Sequence, residues 1–142
     1  MKKTRRLLCL LLTVVLALSL CAIPAAAADD QTRSDDPVVF VHGLMGWGER
    51  AGLNSVLPYW GMTTGSLTAY LNSLGYETYS ATVGPISSAW DRACELYAQL
   101  VGARTDYGVK HSQDFGHDRY GIDYEQPLFD GWGTERAVNL VG

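Results

Sequence analysis

The chain has 142 residues, 47% of them hydrophobic, with 11 Lys and Arg against 15 Asp and Glu and a formal net charge of −4. That length suits one modest domain with its own core. The acidic balance argues against nucleic acid and anionic membrane surfaces as partners.

Lys2, Lys3, Arg5 and Arg6 form a basic opening, Leu7 to Leu20 a leucine-rich core, and Pro24 precedes the small residues Ala25 to Ala28. This order predicts a signal peptide over residues 1–28, cleaved at an A-x-A site, and hence a secreted, extracellular protein. A single-pass anchor is the competing reading, but the apolar core is short for a bilayer span. A lipid on Cys21 is disfavoured by bulky Leu20 just before it. Cleavage would remove four of the eleven cations, leaving seven against fifteen acids, and would leave Cys94 as the lone thiol with no intramolecular disulfide to form. Residues 29–36 read as a flexible acidic leader, and residues 37–142 as the folded domain.

Val38-Val39-Phe40-Val41 is a β-branched, apolar run that empties into His42-Gly43-Leu44-Met45-Gly46-Trp47-Gly48. Such a run bounded by turn residues predicts a buried parallel strand. The glycines let the backbone turn sharply at the strand's C-terminal end, where open α/β sheets place their ligands. In α/β-hydrolases a His-Gly loop at this point supplies one N–H donor of the oxyanion hole; a plain β-turn is the bland alternative.

Leu67, Tyr70, Leu71 and Leu74 fall on one helical face that Gly75 would close. A strand is expected over Tyr76 to Val83, stopped by Gly84-Pro85. Ser87 or Ser88 then caps a second helix ending at Gly102, with Asp91 in its first turn and Ala93, Leu96, Tyr97 and Leu100 on one face. From Ala103 to Glu135 periodicity fades and the chain reads as a long loop, which in a small domain points to function. Ala137 to Val141 is strand-like. The order predicts an α/β fold with a parallel sheet flanked by helices.

Val83-Gly84-Pro85-Ile86-Ser87-Ser88-Ala89-Trp90-Asp91-Arg92-Ala93-Cys94-Glu95-Leu96-Tyr97, together with the His42 to Gly48 loop, Tyr59-Trp60-Gly61 and Asp106-Tyr107-Gly108, resembles the secreted zinc-containing triacylglycerol lipases of the staphylococcal and thermophilic Bacillus type. The resemblance implies an α/β-hydrolase core with a Ser, Asp and His triad, a zinc site and a calcium site further along. It maps the first oxyanion donor onto the backbone N–H of Leu44, where the family usually has Phe, and zinc onto Asp91, His111, His117 and a second aspartate from later in the family chain. Two imidazoles and a carboxylate are good zinc ligands, although loop histidines taken alone are more often solvated. His42 belongs to the oxyanion loop in this mapping and is not the catalytic base. Cys94 reads as a small core side chain rather than a nucleophile. Trp47, Trp60, Trp90 and Trp132 are core or loop anchors before they are a lipid-facing surface.

Val138-Asn139-Leu140-Val141-Gly142 matches the strand and first glycine of a G-x-S-x-G nucleophile elbow, and the 142 residues contain no such motif. The expectation is therefore the N-terminal part of an α/β-hydrolase, incomplete in itself and inactive alone, from an enzyme acting on triacylglycerol or another ester at a lipid–water interface. Two alternatives remain: a non-catalytic secreted module that binds a metal or a lipid surface, and an esterase preferring short acyl chains.

Overall fold

Four consecutive residues with branched or aromatic side chains make Val38–Val41 the central strand, β1, of a computed structural model that describes residues 35–142. The expected signal peptide and most of the leader lie outside the described residues. No helix among the described residues is long and apolar enough to cross a membrane.

Strand β2 (Thr78–Ala81) and strand β5 (Asn139–Val141) pair with β1 on either side, both parallel, in the order β2-β1-β5. The register sets Val39 beside Tyr79 and Leu140, and Phe40 beside Ser80 and Val141. Because side chains alternate across a sheet, Val39, Val41, Tyr79 and Ala81 share one face. There they meet Leu96 and Leu100 of helix α2 (Ala89–Val101), with Phe129, Leu128, Trp132 and Val138 completing the core. The opposite face carries Phe40 and Thr78. Phe40 lies 5.0 Å from Trp60, ring to ring, while Thr78 donates its hydroxyl to the Thr68 carbonyl of helix α1 (Leu67–Ser73). Helices thus flank both faces of a parallel sheet, as expected for an α/β fold.

Several local expectations are corrected. Only half of the apolar stripe of α1 packs: Leu67 and Leu71 are half-buried, whereas Tyr70 and Leu74 are exposed and Thr68 is buried. Hydrogen bonds add to the docking of this short helix, because Asn72 both accepts from the Thr78 N–H and donates to the Thr78 carbonyl. Strand β2 is shorter than the run Tyr76 to Val83. The Tyr76 N–H is spent on the Leu71 carbonyl, and the Gln99 side chain takes both the N–H and the carbonyl of Thr82. That role explains why Gln99, a polar residue, is buried on α2 while Tyr97 of the expected apolar face points outward.

The largest correction concerns residues 103–135. What reads as a loop contains strand β3 (Arg104–Asp106), helix α3 (Val109–Phe115) and strand β4 (Tyr120–Asp123), with β3 and β4 antiparallel. These elements are too short to leave a periodic signal and are held by partners distant in sequence. Arg119 forms two hydrogen bonds with the Asp106 carboxylate, at 2.8 and 2.6 Å, and its guanidinium lies 4.7 Å from the Tyr120 ring centroid, as does that of Arg104. Beyond β4, buried Tyr124 and Phe129 anchor irregular chain to the core. Arg136 pairs with Glu77 and reaches the Asp35 carbonyl, and Asp36 accepts from the Ala137 N–H at 3.1 Å.

Candidate functional site

The loop after β1 is built around His42, which is fully buried. Its Nδ1 donates to the Gly43 carbonyl at 3.0 Å and its Nε2 accepts from the Val83 N–H at 3.3 Å, which assigns a neutral ring protonated on Nδ1. His42 is therefore a pin between two loops, and its sequence expectation as an oxyanion-loop residue rather than a base is consistent with this geometry. Gly46 packs so tightly that a Cβ there would lie 2.7 Å from His42 Nδ1 and 2.8 Å from the Tyr59 ring. The Met45 N–H donates to the Pro85 carbonyl at 2.8 Å, closing the loop after β1 onto the loop after β2. Met45 itself has φ of 58°, a left-handed conformation uncommon outside glycine.

Leu44 sits between these fixed points. Its side chain is 79% exposed, and its backbone N–H has no hydrogen-bond acceptor among the described residues. An unengaged amide at the C-terminal end of a parallel strand, with its neighbours on both sides tied down, is a preorganised donor for an anion or an oxyanion.

The second constellation grows from the N-terminus of α2. Ser88 is the N-cap and Asp91 the third helical residue, forming a reciprocal capping box. One Asp91 oxygen, Oδ2, takes the Ser88 N–H and hydroxyl, leaving Oδ1 for the imidazoles. His111 Nε2 lies 2.9 Å and His117 Nε2 3.7 Å from Oδ1. The two histidines do not share a loop, as the sequence suggested. His111 is on α3, and Gly116, with φ of 70°, reverses the chain so that His117 returns beside it, the rings 5.3 Å apart. Burial alone would raise the Asp91 pKa, but hydrogen bonds from Ser88 and His111 outweigh it and hold the carboxyl below its ordinary value.

His117 donates through Nδ1 to the Asp118 carbonyl, which leaves Nε2 as an acceptor; this atom is buried and has no hydrogen-bond partner among the described residues. An orphaned lone pair beside a carboxylate and a second imidazole, with the three ligand atoms within 4.8 Å of one another, fits a divalent metal such as zinc. Trp90 and Phe115 wall His111 with ring centroids at 5.6 and 4.6 Å, and Tyr107 lies edge-on to His117 at 5.2 Å. The Cys94 thiol is pushed up in pKa by burial and by nearby Asp91, Asp106 and Glu95, which suits an unreactive side chain. Trp47 and Trp90 act as loop anchors through indole N–H bonds to the carbonyls of Leu57 and Tyr107, and Trp132 joins the core.

Between the two constellations stand Arg92 and Glu95, which sequence reasoning did not single out. Arg92 donates to the His42 and Gly84 carbonyls, and Glu95 accepts from the Gly84 N–H at 2.5 Å and the Tyr107 hydroxyl at 2.9 Å. Their spacing of three residues on the helix that begins at Ala89, five residues past Gly84, was the available signal.

Residues 34–142 match the family model described as "Lipase-like, C-terminal domain". The chain belongs to this lipase-like family. It is 42% identical over 123 residues to a lipase of Staphylococcus hyicus and 36% identical over 129 residues to lipase 1 of Staphylococcus aureus. These alignments take in 85% and 84% of the lipase-like chain but only 19% of each relative, so it spans about a fifth of the length of the curated relatives it matches. The crystal structure of Staphylococcus hyicus lipase superposes with a TM-score of 0.68 at 41% identity, covering 82% of this chain and 30% of that one. Lipase 1 from Pelosinus fermentans gives 0.65 at 48% identity, with coverages of 76% and 29%. EstA from Clostridium botulinum gives 0.58 at 50% identity, with coverages of 66% and 22%.

Proposed function

We propose that this chain forms the oxyanion-loop and metal-binding part of a secreted carboxylic ester hydrolase of the triacylglycerol lipase type, with an α/β-hydrolase fold completed by further residues. The observation that carries the reading is the unengaged Leu44 N–H, held between His42 and Met45 at the C-terminal end of β1. In the reaction, a serine hydroxyl attacks the ester carbonyl carbon and a histidine takes its proton. Negative charge collects on the former carbonyl oxygen, and the Leu44 N–H donates to it together with a second backbone donor. The serine elbow, the histidine and the aspartate of that triad come from sequence beyond the 142 residues, consistent with the small share of each relative that the chain spans. The exposed side chains of Leu44, Met45 and Ile86 surround the same loop mouths and suit an acyl chain or a lipid–water interface.

Zinc would be held by the Asp91 carboxylate and by Nε2 of His111 and His117, with a fourth ligand from elsewhere in the full-length protein. Bound there it would supply a structural cross-link between α2 and the segment carrying α3. Any calcium site belongs to the full-length protein and takes no residue identified in this chain.

The test compares ester hydrolysis by the 142-residue protein and by the product extended through a G-x-S-x-G elbow and its triad partners. The 142-residue protein is expected to show no serine-type turnover above background, and the extended enzyme to cleave p-nitrophenyl esters with a preference for long acyl chains. Turnover by the short protein opposes the assignment of the nucleophile, and a preference for short chains turns the reading toward an esterase.

A further inference from the structure

Gly84 and the loop after β1 are held by two charged side chains from one turn of α2. The Arg92 guanidinium spans the two loops: one nitrogen donates to the Gly84 carbonyl at 2.8 Å and the other to the His42 carbonyl. Glu95 takes the Gly84 N–H at 2.5 Å on one oxygen and the Tyr107 hydroxyl at 2.9 Å on the other. Both peptide groups of Gly84 are thus fixed by side chains three residues apart on α2. Gly84 has no room for a side chain, since a Cβ would lie 1.9 Å from Ser87 Oγ.

We propose that Arg92, backed by Glu95, is a positioning residue for the oxyanion loop: its guanidinium ties the His42 carbonyl to the Gly84 carbonyl and so sets where the Leu44 N–H points. The proposal rests on the reading of Leu44 as an oxyanion donor. His42 O lies two residues before the Leu44 N–H. Close to that amide the loops are also linked by the Val83 N–H to His42 Nε2 bond and the Met45 N–H to Pro85 O bond, and further along by the Arg50 N–H to Thr82 Oγ1 bond. A planar guanidinium presents N–H groups on separate nitrogens to the two carbonyls in a fixed geometry, whereas a lysine ammonium would have to reach both from one flexible point charge. Without the clamp, two carbonyls lose a charged donor and the loops around Leu44 are held together by the weaker Val83 and Met45 bonds. A misplacement of about 1 Å in a catalytic group costs on the order of 100-fold in rate. Arg92 also adjoins Asp91 on the helix, so the register of α2 sets the metal-ligand cluster and the oxyanion loop together.

The experiment uses the full-length enzyme with its triad, in the variants Arg92→Lys, Arg92→Gln and Glu95→Gln. Steady-state ester hydrolysis is measured together with amide hydrogen exchange at Met45 and Gly84, whose N–H groups report the loop-to-loop and loop-to-helix bonds. In Arg92→Gln, kcat is expected to fall roughly 10- to 100-fold with KM within about twofold, and exchange at both amides to accelerate at least about tenfold. Arg92→Lys is expected to fall between it and the parent enzyme. If Arg92→Gln does not fold, Arg92→Lys decides. Unchanged exchange at Met45 and Gly84 in folded Arg92 variants overturns the clamp. Faster exchange with unaltered kcat supports the clamp but removes Leu44 from the oxyanion hole, which separates failure of this proposal from failure of the functional reading.

Discussion

On the function proposed above, Leu44 acts through its backbone alone. The residue is exposed, its N–H has no acceptor among the described residues, and its neighbours are bonded. In the full-length enzyme, Leu44→Ala is therefore expected to change kcat by no more than about threefold, because the donor survives. Leu44→Pro removes the donor and is expected to lower kcat by about 100- to 1,000-fold. Ester kinetics on folded variants check the pair, and equal losses from both would assign the effect to the side chain. His42 illustrates the complementary case. Its identity was legible as part of a His-Gly loop, but its task as a neutral pin depends on the Val83 N–H, which is brought to it by the neighbouring strand.

Among the elements, α2 carries the most function in the least sequence. Its capping box consumes one Asp91 oxygen and leaves the other for two imidazoles, so the first-turn acid is both a cap and a candidate ligand. The segment from β3 to β4 supplies those imidazoles and carries an ion pair, Arg119 with Asp106, that responds to acid. The hydrogen bonds from Arg119 depress the Asp106 pKa from 3.8 to about 2, aided by the Gly108 N–H. A carboxylate whose pKa is depressed in the folded state contributes its stabilisation fully above the unfolded value, and loses it as pH falls through the folded one. The contribution is thus present above about pH 4 and lost as the pH falls toward 2. Carboxyl NMR of Asp106 is expected to titrate near 2 and to move toward the ordinary value in Arg119→Ala; an unmoved midpoint in that variant would show that the ion pair is not its cause.

At the scale of the whole molecule, the candidate metal-ligand cluster joins a helix packed on the parallel sheet to a segment that has its own small sheet. A ligand that binds only the folded state stabilises it by mass action, by roughly 2.7 kcal/mol at a free concentration about 100-fold above Kd. Zinc added to the metal-free protein at that excess is expected to raise Tm, a chelator to reverse the rise, and His117→Ala to abolish most of it. Thermal unfolding followed by circular dichroism measures all three, and a zinc-independent Tm in the parent protein counts against the site. The strand at Val38–Val41, the glycine loop that follows it and the helix from Ala89 to Gly102 were legible from local signals: β-branching, closely spaced glycines and a serine cap. The candidate ligand set Asp91, His111 and His117 came from the family resemblance, because loop histidines taken alone read as solvated; the fold brings the three side chains together. The segment 103–135 was not legible, because strands of three or four residues exist only through partners that are remote in sequence. Nor was the Arg92 clamp, since an arginine on a helix reads as a solvated charge until the carbonyls of His42 and Gly84 are brought against it. The chain's local chemistry determined which groups are available, and tertiary packing decided which face one another, because hydrogen bonds and metal ligation depend on angstrom-scale distances between residues far apart in sequence.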